Sequence, residues 1–359
     1  MLLGHPQPPA WPASRDALAD ARRFLTALRG RRVLVVPAPD ADGLASAVLV
    51  VRALEAVGAH GAVRVPGKGE QAHPSPLLER VRRANPDALV LLGMGDLREE
   101  AAPGAPTLLV ERAATSAPPP STLVLASTGD GSAVSTSLLT LALVEPLVTP
   151  APLEWLVAVG TVAALGAEAP VPFLEDALRR ARRKAVTETV ALVNAARRSS
   201  RFLAARAQEV LLRARSARDI AEGQVAGVEE LRDCRVEVRR EVERCARTPP
   251  RIAPRAALLL FSSEAQVHPL VARRWESRLP GQVVLAANTG YLPGRVDFAL
   301  RGPPSPEVDA LLRAQGAPPM AAHPPGGSLP QPDFLRLAEG LGFRGLRLAD
   351  TERRGAFPG

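Results

Sequence analysis

Residues 33–50 read VLVVPAPDADGLASAVLV, and this stretch decides the fold that the sequence predicts. The apolar run at its start is typical of a buried strand, and the small and apolar residues after Gly43 are typical of a helix. Asp40 and Asp42 lie on the turn between them, where Gly43 lets the backbone bend closely. Two like charges on one tight turn repel each other unless a cation lies between them. The stretch therefore predicts a strand, a chemically unusual turn and a helix.

The alternation of strand and helix continues along the first part of the chain. Strand patterns occur at 31–39, 62–66, 87–96, 105–113 and 122–128, and helical patterns at 15–29, 43–58, 77–84 and 129–145. Alternating elements with short connections are typical of an α/β domain with a mostly parallel sheet. Ligands of such sheets lie at the carboxyl ends of the strands. Four acids follow such ends: Asp40, Asp42, Asp96 and Glu111.

From about residue 151 the pattern becomes helical. Residues 154–166 and 172–198 each predict a helix, and the charged stretch 202–247 predicts one or two helices that bridge domains. The proline-rich stretch 248–254 marks a boundary that helices should not cross.

A smaller α/β unit follows that boundary. It shows strand patterns at 256–263, 282–290 and 294–302, helical patterns at 268–279, 307–316 and 333–343, and a Pro/Gly loop at 317–330. We therefore predict an α/β protein with a first domain at 1–200, a helical connector at 201–250 and a second domain at 251–359.

Composition narrows the class of protein. The chain has 359 residues, 46% of them hydrophobic and 23% charged, which is enough for two folded domains. No run reaches the roughly 18 uncharged apolar residues of a membrane span, and the start lacks a signal-peptide pattern. We therefore expect a cytoplasmic protein with no membrane partner.

Cys234 and Cys245 fall about 16 Å apart on one predicted helix, so we expect structural thiols and no disulfide.

The net charge of +8 has two interpretations. Clustered cations favour nucleic-acid binding, and the basic run 179–184 with Arg197 and Arg198 could follow a phosphate backbone. All but two of the 45 basic residues are arginine, however, which is also what a GC-rich genome produces. Such runs are often solvated helix faces, and an aromatic content of 3% offers few platforms for stacking bases.

The pair Asp40 and Asp42 also leaves two alternatives open. Carboxylates on a strand-to-helix turn suit hard ions such as Mg²⁺ and Mn²⁺. The same residues could instead cap the following helix and interact with its positive end.

Three separated motifs resemble the DHH phosphoesterase superfamily, the RecJ-like nucleases and their relatives. The stretch 33–50 resembles the first motif, His-x-Asp-x-Asp-Gly, and LEWLVAVGTVAALG at 153–166 resembles the fourth. The segments 261–275, 283–302 and 323–330 resemble the companion DHHA1 domain, in wording closest to the archaeal-type branch. The resemblance implies a DHH-type domain at 1–200, a connector at 201–250 and a DHHA1-type domain at 251–359.

The resemblance also implies a two-manganese centre built from four aspartates and two histidines. Asp40 and Asp42 match two of these aspartates, and Glu111 offers a carboxylate at a third ligand position. The other motif positions fall on Ala38, Gly93, Arg112, Ala113 and Ala164. Three carboxylates could hold one ion but not a pair about 4 Å apart.

Two residues bear on this centre. Asp96 lies three residues beyond Gly93 and could serve as a ligand, a solvated loop acid or a helix cap. Arg112 stands where the family has a histidine, and its guanidinium could neutralise Asp40 and Asp42 in place of an ion. We therefore expect a catalytically impaired member, with Mn or Mg possible at Asp40, Asp42 and Glu111 but no metal favoured.

The resemblance further implies contacts to nucleic acid or phosphate in the second domain. Glycines expose backbone N–H groups to phosphate, and arginine binds it bidentately. The matching positions are Asn288, Tyr291, Gly294, Arg301, His323, Gly326 and Gly327. His268 is expected to begin a helix and pack, whereas for His323 ligand contact and a plain loop role both stay open.

The resulting hypothesis is a RecJ-like protein that binds single-stranded DNA or RNA, or nucleotides, in the cleft between its domains. A first alternative is an active Mn- or Mg-dependent phosphoesterase or single-strand exonuclease. A second is a protein-interaction scaffold with partners in DNA replication or repair.

Overall fold

The computed structural model describes residues 11–71, 73–95, 100–113, 118–127, 134–149, 151–320 and 326–348. The chain divides into two compact units. The first runs to Arg197 and includes Leu203–Arg232, and the second comprises Arg198–Phe202 and the chain from Asp233 onward. The stretch 201–250, which the sequence predicts to be a separate connector, is thus shared between the two units.

The first unit contains a parallel sheet. Its strands are β1 (Arg32–Pro37), β2 (His60–Val63), β3 (Ala88–Leu92), β4 (Thr107–Glu111) and β5 (Thr122–Ala126), in the order β2-β1-β3-β4-β5. Every neighbouring pair is parallel, so the carboxyl ends of the strands share one edge. The predicted α/β fold with a parallel sheet is confirmed.

Helices cover both faces of this sheet. They are α1 (Arg15–Thr26), α2 (Ala41–Val57), α3 (Ser75–Ala84), α4 (Thr136–Val144), α5 (Glu154–Leu165), α6 (Leu174–Ala181), α7 (Arg183–Arg198), α8 (Ala204–Arg213) and α9 (Ala217–Ala221). Helix α3 packs on one face, and α2, α4 and α5 belong to the larger core on the other. Helix α2 ends where predicted, at Gly58 in the left-handed conformation.

Two helical predictions are wrong in detail. The predicted single helix 172–198 is interrupted at Arg182, whose φ of 63° separates α6 from α7. The stretch 202–247 forms α8, α9 and α10 (Val228–Cys245) rather than one or two helices. Ser216 and Asp219 form a capping box that begins the short α9. Cys234 and Cys245 are both buried and unpaired on α10, as predicted.

The second unit contains a mixed sheet. Its strands are β6 (Arg251–Ile252), β7 (Ala257–Phe261), β8 (Val284–Asn288), β9 (Arg295–Arg301) and β10 (Gly326–Pro330), in the order β10-β9-β8-β7-β6. Its helices are α11 (His268–Glu276), α12 (Pro306–Ala314) and α13 (Gln331–Gly340). Strand β10 occupies the last five residues of the loop predicted at 317–330, so that prediction is wrong for 326–330.

The two faces of the second sheet carry different helices. Val296, Phe298 and Leu300 of β9 face a core that contains residues of α12 and α13. Helix α11 contacts β8 and β9 but contributes nothing to that core, so it lies on the opposite face. Within the described residues, none of the helices combines the length and apolar character needed to cross a membrane.

Candidate functional site

Asp40 lies on the turn between β1 and α2 and caps that helix. Its Oδ1 accepts a hydrogen bond from the Gly43 N–H at 2.9 Å. Gly43 is required by close approach, because a Cβ there would lie 2.3 Å from the carbonyl oxygen of Ala38. Of the two interpretations of the aspartate pair, the capping role is the one the geometry gives to Asp40.

Asp42 lies in the first turn of α2 and is only 6% exposed. Its two carboxylate oxygens accept hydrogen bonds from the N–H groups of Thr136 at 2.8 Å and Ser137 at 2.9 Å. These donors belong to the first turn of α4. A carboxylate here meets both the unpaired donors and the positive end of the helix. Asp42 therefore ties the start of α2 to the start of α4.

A buried hydroxyl network surrounds this contact. The hydroxyl of Ser135, the N-cap of α4, lies 3.1 Å from the Ser137 hydroxyl and 2.9 Å from the Thr161 hydroxyl. Gly160 permits the approach of α5, because a Cβ there would lie 2.7 Å from Asp42 Oδ1 and 2.2 Å from Ser137 Oγ. The close packing of α5 against this network therefore requires glycine at position 160.

Sequence reasoning missed these partners of Asp42. The signal was present, since Ser135, Thr136 and Ser137 precede an apolar run in the manner of a helix start. What the sequence lacks is any mark that this helix start, more than 90 residues downstream, lies against Asp42.

Burial dominates the electrostatics of Asp42. Removal from water raises the pKa of this carboxyl to about 6, and the nearby charge of Asp40 contributes to the rise. The hydrogen bonds from Ser137 and Thr136 oppose that rise because they favour the ionised form.

Glu111 lies at the end of β4, and its carboxylate also accepts a backbone hydrogen bond. Its Oε1 accepts a hydrogen bond from the Gly95 N–H at 2.8 Å. Burial raises the pKa of Glu111 to about 7, against the opposing effect of the hydrogen bonds from Gly95 and Met94. The carboxylate therefore holds the loop after β3.

Gly93 lies just after β3, where the sequence resemblance implies an aspartate ligand. Its φ of 64° is left-handed, and a Cβ there would lie 3.1 Å from Thr136 Oγ1 and 3.6 Å from the Ala38 Cβ. A larger side chain would therefore meet both backbone strain and the start of α4.

The predicted metal ligands do not assemble. Among the described residues, no three His, Cys, Asp or Glu side chains come together as a group that could hold an ion. Asp40, Asp42 and Glu111 each accept hydrogen bonds from backbone N–H groups instead. Asp96 lies outside the described residues.

The predicted ion pair of Arg112 with Asp40 and Asp42 is wrong. No described acid forms an ion pair with Arg112, and its buried Nε has no hydrogen-bond partner among the described residues. Its charge lowers the pKa of Glu111 rather than that of Asp42. The donors that Asp42 needs come from the α4 backbone instead.

Asn288 and Tyr291 of the second unit are used internally. Asn288 is fully buried, and its Oδ1 accepts from the N–H groups of Ser263 at 2.8 Å and Gly290 at 3.1 Å. Its Nδ2 donates to the Ala265 carbonyl at 3.0 Å. Tyr291 is buried with its ring centroid 6.2 Å from that of His268, which begins α11 as predicted.

The other predicted binding residues of this unit are spread across the sheet. Arg301 pairs with Val284 at one end, whereas Asn288 pairs with Asp297 at the other, about 13 Å away at the usual rise of a strand. Gly294 lies on an open turn near the Asn288 end, with a φ of 70°. The structure does not bring the predicted set together.

Gly326 and Gly327 lie on β10 beside β9. A Cβ on Gly326, whose φ is 140°, would lie 2.2 Å from the Phe298 carbonyl oxygen. The geometry therefore explains Gly326 by strand pairing. His323 lies outside the described residues.

No protein-family model matches the sequence, and a comparison with curated proteins finds no relative. The fold, by contrast, matches solved structures. A manganese-bound exonuclease RecJ superimposes with a TM-score of 0.65 at 22% identity, covering 93% of this chain and 98% of that one. RecJ from Thermus thermophilus in complex with Mn²⁺ superimposes with a TM-score of 0.68 at 20% identity, covering 98% of this chain. The DHH domain of a member of a ribosomal-protein family gives 0.61 at 11% identity, over 92% and 90%.

These likenesses show a RecJ-like DHH fold over nearly the whole chain, as the sequence predicts. The chain spans 56% of the Thermus RecJ chain and nearly all of the other RecJ chain.

Proposed function

We propose that this chain is a RecJ-like protein, of the archaeal-type branch, that binds single-stranded DNA or RNA without metal-dependent hydrolysis. The observation that carries the proposal is the hydrogen bonding of the buried Asp42 carboxylate. Both of its oxygens accept hydrogen bonds from the α4 backbone in a buried site, so an aspartate that matches the phosphoesterase motif holds two helices together.

The donor set around Asp42 argues against a two-ion centre. Two-ion catalysis needs ligands that hold the ions about 3.5–4 Å apart. Ala38, Gly93 and Ala164 offer no side-chain donor at three of the ligand positions implied by the resemblance. The RecJ neighbours are manganese and magnesium complexes, but the residues of this chain do not fit such a pair of ions, and we derive no reaction step from one.

Charge supports the binding half of the proposal. The chain carries a net charge of +8, and arginine supplies nearly all of its cations. Guanidinium groups bind phosphates bidentately, and Arg301 has a buried Nε with no hydrogen-bond partner among the described residues. Arg301, Gly326 and Gly327, with His323, stay the predicted phosphate contacts.

One preparation tests both halves. Binding of a labelled oligo(dT) and its RNA counterpart is measured in EDTA, and cleavage is measured with Mn²⁺ and with Mg²⁺. We expect EDTA-insensitive binding that weakens steeply with salt, and no cleavage above that of an Asp40→Asn/Asp42→Asn variant purified in parallel.

Two outcomes would contradict the proposal. Mn²⁺-dependent cleavage present in the wild type and absent from the folded variant would favour the phosphoesterase alternative, with an ion at Asp40, Asp42 and Glu111. No binding of either oligonucleotide at low salt would favour the scaffold alternative, with protein partners in replication or repair.

A further inference from the structure

A cavity of about 440 Å³ lies in the second unit, beside the carboxyl ends of α10 and α11. Its lining residues are Glu243, Ala246, Arg247, Arg274, Trp275 and Arg278, which we call the arginine–tryptophan pocket. The volume falls within the roughly 300–1,000 Å³ of pockets that hold small ligands. None of these residues belongs to the DHH-type site or to the phosphate contacts predicted from the sequence.

The indole of Trp275 is fixed in place. Its Nε1 donates a hydrogen bond to the Ala246 carbonyl at 3.0 Å, which satisfies the polar edge of the ring. The guanidinium carbon of Arg278 lies 5.0 Å from the ring centroid, within cation–π range. A half-buried ring held in this way, with the guanidinium of Arg278 over it, is a preordered stacking platform, because bases stack on guanidinium planes as well as on aromatic rings.

Three cations line the pocket. Arg247, Arg274 and Arg278 are all exposed, and none forms an ion pair with a described acid. Elsewhere on α10, Arg244 pairs with Glu241 at 2.7 Å.

Glu243 is the acid of the pocket, and Arg239 already pairs with it at 3.2 Å. Cations are favoured near the carboxyl ends of helices, but three of them around one indole exceed what capping requires.

We propose that the arginine–tryptophan pocket is a subsite for single-stranded nucleic acid, in which an unpaired base stacks on Trp275 and the flanking phosphates contact the three arginines. The proposal rests on the proposed function and locates part of it. Aromatic stacking needs a base that is free of a partner strand and tolerates any sequence, and arginine supplies phosphate contacts beside it.

The test measures binding of fluorescein-labelled oligo(dT) to the full chain by anisotropy. The main variant is Arg247→Glu/Arg274→Glu. The matched control is Arg313→Glu/Arg344→Glu, which makes the same charge change at exposed positions of the same unit that form no ion pair with a described acid, one of them also in the last turn of a helix. We expect the pocket variant to bind at least about tenfold more weakly and the control to lose much less. A plot of the logarithm of the binding constant against the logarithm of the salt concentration should have a shallower slope for the pocket variant, by about 0.7 for each phosphate that the protein no longer neutralises.

Trp275 is tested separately. Trp275→Leu should weaken binding about 5- to 100-fold by removing the stacking surface, whereas Trp275→Phe should lose less because it keeps an aromatic ring. Oligo(dT) should also quench tryptophan fluorescence in the wild type, and that quenching should disappear in Trp275→Phe while anisotropy still reports binding. The phenylalanine and arginine variants keep the test decisive if the leucine variant does not fold.

Three results would overturn this subsite in different ways. If the wild type binds oligo(dT) and the pocket variants bind like the control, the subsite is wrong and the proposed function stands. If the wild type binds no oligonucleotide, both are wrong. Competition by poly-glutamate as strong as that of unlabelled oligo(dT) would instead indicate a site for an acidic protein segment.

Discussion

Asp42 in the first unit and Asn288 in the second occupy comparable places. Asp42 follows the buried strand β1, and Asn288 ends the buried strand β8. Both are buried, and both fix backbone through two accepted hydrogen bonds. Asn288 acts on nearby turns and stays neutral, whereas Asp42 is ionisable and reaches a helix about 90 residues away. A buried carboxylate can thus hold backbone as a neutral amide does, but it makes the structure sensitive to pH.

The largest expected effect follows from removing the carboxylate. Asp42→Ala leaves the N–H groups of Thr136 and Ser137 unpaired in a buried site, and we expect a loss of about 3–5 kcal/mol in the free energy of unfolding. Urea unfolding followed by circular dichroism measures it. Asp40→Ala, on the same turn, should cost only about 0.5–2 kcal/mol as the loss of a cap, and equal losses would contradict the distinction between the two aspartates.

Asn288 should come next. Asn288→Ala removes three hydrogen bonds, and we expect a loss of about 2–4 kcal/mol in the free energy of unfolding, measured by urea unfolding followed by circular dichroism. Asn288→Asp keeps the Oδ1 acceptor but sets a carboxylate oxygen against the Ala265 carbonyl in a fully buried site, so it should cost at least as much. If both variants match the wild type, the turn does not depend on this amide.

The pH dependence of stability distinguishes Asp42, which is ionisable, from Asn288, which is not. Because the folded pKa of Asp42 is raised to about 6, the folded state binds more protons than the unfolded chain between about pH 4 and 6. Stability from this residue is therefore present below about pH 4 and is lost as pH rises through about 6, by about 2–3 kcal/mol.

The measurement compares the wild type with Asp42→Asn from about pH 4 to about pH 7 in EDTA. As pH falls, the free energy of unfolding of the wild type should rise relative to that of Asp42→Asn. A constant difference in unfolding free energy would show that Asp42 does not titrate in this range.

Gly160 gives the smallest expected effect. Gly160→Ala places a methyl group against Ser137 Oγ and Asp42 Oδ1, and we expect a loss of about 1–3 kcal/mol from overpacking. Ala164→Ser, on the same helix but partly exposed, is the control and should change unfolding little. Stabilisation by the extra methyl would mean that α5 moves freely relative to α4.

The sequence predicts what local patterns encode. The strand and helix of residues 33–58 follow from an apolar run, a turn residue and the glycine that ends α2. The break at Arg182 was missed because an arginine in left-handed conformation leaves no mark in the pattern. Strand β10 was missed because its glycines are typical of a loop, although Gly326 is what allows the approach to β9.

The site was predicted less completely, for a physical reason. Capping by Asp40 is a contact over three residues and was among the alternatives. The partners of Asp42 are distant backbone N–H groups, which every residue except proline has, so no residue type announces them. The same gap led to the wrong pairing of Arg112 with the aspartates.

Helix α2, which begins at this turn, is buried from Ala41 through Leu54 except at Arg52. Its interior amide protons have no local route to solvent, so they should exchange with deuterium only when the first unit opens as a whole. The slowest-exchanging amides of that unit would then report its global stability, and the protonation of Asp42 would be visible as a change in their exchange rate rather than in any surface property.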